Sequence, residues 1–352
     1  SAVNRAPQPQ HDRTSAEPSG VREGGDRAAD AEVIGATAAP VSRRLAVDLT
    51  PLRQSRDFRL LWTGRGISYV GSQVTRVAIP FQVYELTHSS LAVGLVSLCE
   101  LVPILTLSLW GGAVADAVDR RRMMIVTDLV LAGVSLLLAA NAALARPMVP
   151  AVYVLATIAS AVFCFGRPAL DAAIPRLVPR EQFTSAAALN GVQFTIGGIV
   201  GPAAGGVIVA GAGLGGAYLV DALSFAAAVG FGMALRPIAP SPDAERPGWR
   251  SVREGLSWVR HQPPLLGTYA ADGAAIVFGM PDALLPALAI DRFGGGARAL
   301  GLLSAAPPVG ALLASLLSGW MGRVRRHGAA ILWSVVGWGA AIAVFGLTHA
   351  LA

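Results

Sequence analysis

Apolar residues fall in long blocks along this chain, at roughly 58–86, 91–115, 123–145, 148–171, 184–210, 214–235, 265–290, 297–319 and 328–349, with polar turns between them. A helix rising about 1.5 Å per residue needs about 20 residues to cross a hydrocarbon layer of roughly 30 Å. The pattern therefore predicts an all-α polytopic membrane protein with nine spans. The most charged short turn is GGAVADAVDRRR, from Gly111 to Arg122, between the second and third spans.

The turns alternate in charge. Those after spans two, four, six and eight hold Arg120, Arg121 and Arg122, then Arg176 and Arg180, then Arg236, Arg246, Arg250, Arg253 and Arg260, then Arg323, Arg325 and Arg326. The opposite turns hold Arg146, Arg292 and Arg298. Because basic loops stay on the cytoplasmic side, this asymmetry predicts a multi-pass protein of the plasma membrane with its N-terminus in the cytoplasm. Residues 1–50 are polar and without lasting periodicity, which predicts a disordered cytoplasmic tail. Residues 51–235 then form an N-terminal half of six spans, and 236–264 a linker opening with PIAPSPDAERP. Residues 265–352 form a partial second half of three spans. Within the linker Trp249, Val252, Leu256 and Val259 recur at helical spacing, which suits either a helix on the membrane surface or one packed on the ends of its own bundle.

Composition changes this picture mainly by exclusion. The chain of 352 residues is 53% hydrophobic and 14% charged, against about 25% charged in soluble domains. The net charge of +6 rests wholly on arginine, mostly in the turns, which reads as an orientation signal rather than a nucleic-acid surface. Without lysine there is no Walker A motor. Cys99 and Cys164 lie inside apolar blocks and read as packing residues. The GxGxxG match at Gly211, Gly213 and Gly216 falls at a turn between spans, not after a soluble strand. The five histidines form no metal-binding pattern, and no nucleophile and base stand together. The expectation is a protein without enzymatic activity, metal or cofactor. No short apolar segment with a cleavage site precedes the first span, so a processed leader is not expected.

Two motifs carry a resemblance. Gly112, Val114, Asp116, Ala117, Asp119, Arg120 and Arg121 are similar to the loop signature of the major facilitator superfamily between its second and third spans. Gly197, Gly201, Pro202, Gly205 and Gly206 are similar to that family's antiporter signature, with Ala188 where the longer form has a further glycine. The run from Arg167 to Asn190, FRLLWTG at Phe58 to Gly64, and VREGLSWVRHQP at Val252 to Pro263 resemble its bacterial siderophore and drug exporter branch, the transmembrane secretion effectors. That branch commonly has an aspartate where Ser72 stands. The resemblance runs from Phe58 to the end. It implies two six-helix halves around a solute site, a gate formed by the loop, and export of drug- or siderophore-like molecules by alternating access with proton antiport. Nine spans instead of twelve leave two expectations open: a truncated product or a chain that needs a partner. A rival reading is a non-transporting interaction partner or inactive fragment. The oligomeric state is left open.

Span one puts Arg65, Tyr69, Gln73 and Arg76 on one helical face. An arginine at mid-membrane costs roughly 2.5 to 3.5 kcal/mol on insertion scales. Such a face is expected to line a polar cavity, where Arg76 meets an anionic substrate group or a buried carboxylate; pairing within the bundle is the alternative. Glu100, Asp272 and Asp282 are the candidate carboxylates for protons, with Asp128, Asp171 and Asp221 read as nearer the surfaces and Glu100 and Asp272 as the deepest. Asn190 and Gln193 could add hydrogen bonds to substrate. The expected partners are thus the lipid bilayer, a small-molecule substrate and protons.

Overall fold

The structure, a computed structural model, describes residues 48–238, 257–258, 260–317 and 326–348. Among them the regular structure is helical throughout: α1 Thr50–Gln54, α2 Arg56–Thr87, α3 Ser90–Ala117, α4 Arg120–Ala142, α5 Val149–Leu177, α6 Phe183–Ala234, α7 Pro263–Gly279, α8 Gly296–Leu316 and α9 His327–Leu347. The expected tail lies outside these residues except for 48–50, and the amphipathic linker helix except for Ser257, Trp258 and Arg260.

Local chemistry sets the helix ends. Ser55 Oγ accepts from Phe58 N at 3.1 Å and donates to Leu177 O at 2.8 Å, so one hydroxyl both caps α2 and ties it to the end of α5. His88, in the left-handed region at φ 48°, closes α2, and Ser89 Oγ caps α3 by accepting from Ala92 N. The block read as one span over 265–290 is interrupted. α7 stops at Gly279, Met280 is extended, and Pro281 opens a series of short helical turns that ends at Arg292. Proline lacks the amide hydrogen a helix needs and pushes the residue before it towards extended geometry.

Contacts along α2 show that α6 is two passes. Gln193, Gly197, Gly201 and Gly205 meet Gly66, Tyr69, Gln73 and Val74 in ascending order. Tyr218, Asp221, Ser224 and Phe231 meet Gln82, Thr75, Gly71 and Gly64 in descending order. The chain reverses at Gly213, whose φ of 72° and ψ of 179° suit glycine. α4 packs antiparallel to the second pass, with Ser135 on Asp221 and Ile125 beside Gly232. α3 and α5 run side by side, joined by Tyr153 on Ala92 O and Ser160 on Glu100 O. α8 lies along the first pass of α6.

The distribution of side chains is that of a protein in lipid. Leu91, Leu105, Val126, Leu223, Leu332 and Trp333 stand exposed on the spans, whereas Gln73, Gln82, Asp128, Ser135 and Asp221 are buried between them. In water this would be inverted; in hydrocarbon the inter-helix space is where polar groups find partners. Six of the helical stretches are long and apolar enough to cross a membrane by length and composition, the double pass of α6 among them. The chain is a multi-pass membrane protein.

Candidate functional site

At the turn between α3 and α4, Asp119 Oδ1 accepts from Arg121 N at 2.8 Å and Arg122 N at 3.2 Å, satisfying free amides at the start of α4. Arg121 reaches across to the end of α6, donating through Nε to Gly232 O at 3.0 Å and through Nη2 to Met233 O at 2.8 Å. A cation on the terminal carbonyls of a helix is favoured both by the hydrogen bonds and by the helix dipole. Arg120 is buried and its amide donates to Ile238 O. The motif thus holds the starting turn of α4 against the end of α6. Gly112 and Asp116 fall in the closing turns of α3, and the Asp116 side chain lies outside the described residues.

The glycine motif of α6 serves two neighbours. A Cβ on Gly201 would stand 2.4 Å from Gln73 Cβ, one on Gly197 2.5 Å from the Tyr69 ring, and one on Gly205 3.0 Å from Val74 Cα. Gly206 turns the other way, where a Cβ would stand 2.5 Å from Ala297 O of α8, and a Cβ on Gly301 would stand 2.6 Å from Pro202 O. The bare backbone lets α6 sit between α2 and α8 at distances that side chains would forbid. Pro202 lies within the helix without a non-helical residue beside it.

The four polar positions of span one part company. Arg65 forms an ion pair with Asp128 of α4, Nη1 to Oδ1 at 3.1 Å. It also borders a crevice shared with Trp62, Asn190 and Gln193, so the sequence-selected Arg65, Asn190 and Gln193 do come together. Gln193 Nε2 donates to Trp62 O at 2.6 Å, which makes it a tie between α6 and α2. Gln73 is buried against Gly201. Tyr69 stacks on Phe194, with ring centroids 5.1 Å apart.

Arg76 is exposed and close enough for its charge to act on both Tyr69 and Glu100. Arg167 acts on the same tyrosine and pairs with Asp171 at 3.1 Å. Tyr69, stacked on Phe194, thus lies within electrostatic reach of Arg76 of α2 and Arg167 of α5, and Glu100 of α3 within reach of Arg76. Of these residues, sequence reading selected Tyr69, Arg76 and Glu100 and missed Arg167 and Phe194. Arg167 was visible as a charge interrupting span four, whereas Phe194 carries no signal in an apolar block.

Burial separates the carboxylates in a way the sequence does not indicate. Asp272 and Asp282 are exposed and Glu100 is half-buried, while Asp128 and Asp221 are 3% and 2% exposed. No group of three or more metal-ligating side chains occurs among the described residues.

Comparison with known proteins adds a family. Residues 46–352 match the model of a family described as "Transmembrane secretion effector". The chain is 31% identical over 304 residues to the enterobactin exporter EntS of Citrobacter koseri, the match covering 86% of this chain and 72% of the relative. Identity is 31% to the protein of that name from Shigella boydii serotype 18 and 30% to that from Escherichia coli O139:H28, with the same coverage.

Proposed function

The chain belongs to the transmembrane secretion effector family, and from that premise we propose that it exports siderophore- or drug-like small molecules by alternating access, driven by protons moving inward. In this reading the protein sits in the bacterial plasma membrane with its N-terminus in the cytoplasm, as the arginine asymmetry of its turns favours. Residues 51–235 act as one half of the transporter, 236–264 as the linker, and 265–352 as part of the other half. The seam where Gly198, Pro202 and Gly206 meet α8 is the joint on which the halves move, while the turn at Asp119 to Arg121 braces α4 against the end of α6 within the first half.

The observation that carries the reading is that the exposed Arg76 and Arg167 lie within electrostatic reach of Tyr69, which stacks on Phe194, and Arg76 within reach of Glu100. Charged side chains in a membrane span are costly against lipid and are retained where they face a polar path or a partner. Two guanidinium groups within electrostatic reach of a tyrosine stacked on a phenylalanine suit an anionic molecule with flat apolar parts. Arg65, Asn190 and Gln193 border the path nearer the start of α2.

The test is accumulation of enterobactin, the compound named for the relatives, in cells with and without this protein. Expression should lower cellular enterobactin, and a protonophore should abolish the difference. Arg76→Ala and Arg167→Ala should each remove most of the effect with the amount of membrane-inserted protein unchanged. Equal export after collapse of the gradient would overturn the proton antiport, and full export by both variants would overturn the placement of the path.

A further inference from the structure

Asp221 lies where three crossing segments meet. It stands about 12 Å along the helix from Gly213 and about 20 Å from Ala234, at ~1.5 Å per residue, and is 2% exposed. Its Oδ2 accepts from Thr75 Oγ1 of α2 at 2.7 Å and from Ser135 Oγ of α4 at 2.7 Å. Ser224 Oγ donates to the Asp221 main-chain carbonyl at 2.7 Å and lies 3.5 Å from Oδ1. Oδ1 is therefore the carboxylate oxygen with the weaker contact. Among the described residues no cationic side chain forms an ion pair with Asp221. An ionised carboxylate held only by hydroxyls inside a membrane protein is costly, and a proton on Oδ1 removes that charge while both hydroxyl bonds to Oδ2 remain.

A second observation points the same way. One turn nearer Gly213, the fully buried Tyr218 donates its hydroxyl to Gln82 Oε1 of α2 at 2.6 Å. Gln82 is 1% exposed, and its Nε2 has no hydrogen-bond partner among the described residues. Asp221, Tyr218 and Gln82 thus form a polar row running from mid-span towards the Gly213 end, through packing that is otherwise apolar. The titratable and charged groups around it are few. α6 contributes Tyr218, α2 contributes Arg76, which is exposed, and α4 contributes Asp128, which is committed to Arg65.

We propose that Asp221 carries the coupling proton. It takes a proton from water at the Gly213 end along the row of Tyr218 and Gln82, and releases it towards the opposite end when the bundle rearranges. One O–H bond forms and breaks per cycle, and nothing else changes covalently. Thr75 and Ser135 hold the charged form between release and reloading. The assignment rests on the proton-driven export proposed above, and deepens it by naming the carrier.

The test uses the purified chain in lipid vesicles with enterobactin as probe. Asp221→Asn keeps the size of the side chain and an oxygen acceptor but binds no proton. Transport driven by an imposed pH gradient should fall at least about tenfold, while exchange of labelled for unlabelled enterobactin without a gradient stays within about twofold. Gradient-driven transport that survives in Asp221→Asn, or exchange lost in the same proportion, would overturn the assignment. If Asp221→Asn fails to fold, Thr75→Val decides: it should shift the pH midpoint of gradient-driven transport upward, because the charged carboxylate has lost a donor, and Thr75→Ser should return it. An unmoved midpoint would overturn the assignment. Wild-type transport indifferent to the gradient would be seen in the control and would remove the export reading first.

Discussion

Among single residues the pair of Arg65 and Asp128 tests the physics most directly, because Asp128 is 3% exposed and Arg65 reaches it at 3.1 Å from a different helix. Removing one member strands the other charge in a dry space. Arg65→Ala should lower stability by about 3 kcal/mol, whereas Arg65→Met combined with Asp128→Leu should regain most of the loss. Melting of the detergent-solubilised protein measures both; equal losses in the single and double variants would mean that the pair does not matter. The sequence made Arg65 conspicuous, as a charge in an apolar block sharing a face with Tyr69, Gln73 and Arg76. It did not show where Arg65 goes, because a helical face is a local property and the neighbour it meets is not. The same limit hid the setting of Asp221, whose partners Thr75 and Ser135 are 146 and 86 positions away along the chain.

At the scale of elements the spans were largely legible, since apolar length is decided by the lipid rather than by tertiary detail. The boundaries at Ser90, Arg120, Val149 and Gly296 lie within a few residues of the apolar blocks. Where the reading ran past the helix, as from Met280 to Arg292, apolar residues continue although proline ends the hydrogen bonding. The charged turn was legible as an anchor, while its tie to the end of α6 depends on a neighbour more than a hundred residues distant. Asp119→Ala should cost about 1 kcal/mol through the lost cap and Asp119→Ser should cost little. A loss in Asp119→Ser equal to that in Asp119→Ala, measured by melting, would show that charge rather than capping matters there. The glycine seam makes a sharper forecast. Gly198 and Pro308 place their Cβ positions 3.6 Å apart across α6 and α8, inside the range a disulfide spans. Cysteines at these two positions, with Cys99 and Cys164 replaced by serine, should cross-link under mild oxidation. Gly206→Val should disrupt the folded protein, whereas Gly211→Ala, with nothing within 4 Å of its Cβ, should not.

For the molecule as a whole, the contacts between the first six passes and the residues after 281 gather towards one end. Tyr84 near the end of α2 hydrogen-bonds Asp291, Ala283 stands against Gly94 near the start of α3, and Ala297 and Gly301 press on Gly206 shortly before the reversal at Gly213. Towards the opposite end, Leu313, Leu316 and Leu317 of α8 are 55%, 73% and 73% exposed. In the orientation proposed above, that opposite end faces the cytoplasm. In the export cycle proposed above, contacts held at the outer end belong to the state that admits solute from within the cell. Export then requires the outer contacts to break, so fixing them should stop the cycle without preventing entry of solute from inside. Gly94 and Ala283, with Cβ positions 3.7 Å apart, offer the means. Oxidation of the Gly94→Cys, Ala283→Cys protein should abolish enterobactin export, reduction should restore it, and binding of enterobactin from the cytoplasmic side should persist in both conditions. Export that continues through the cross-link would show that these contacts are not a gate.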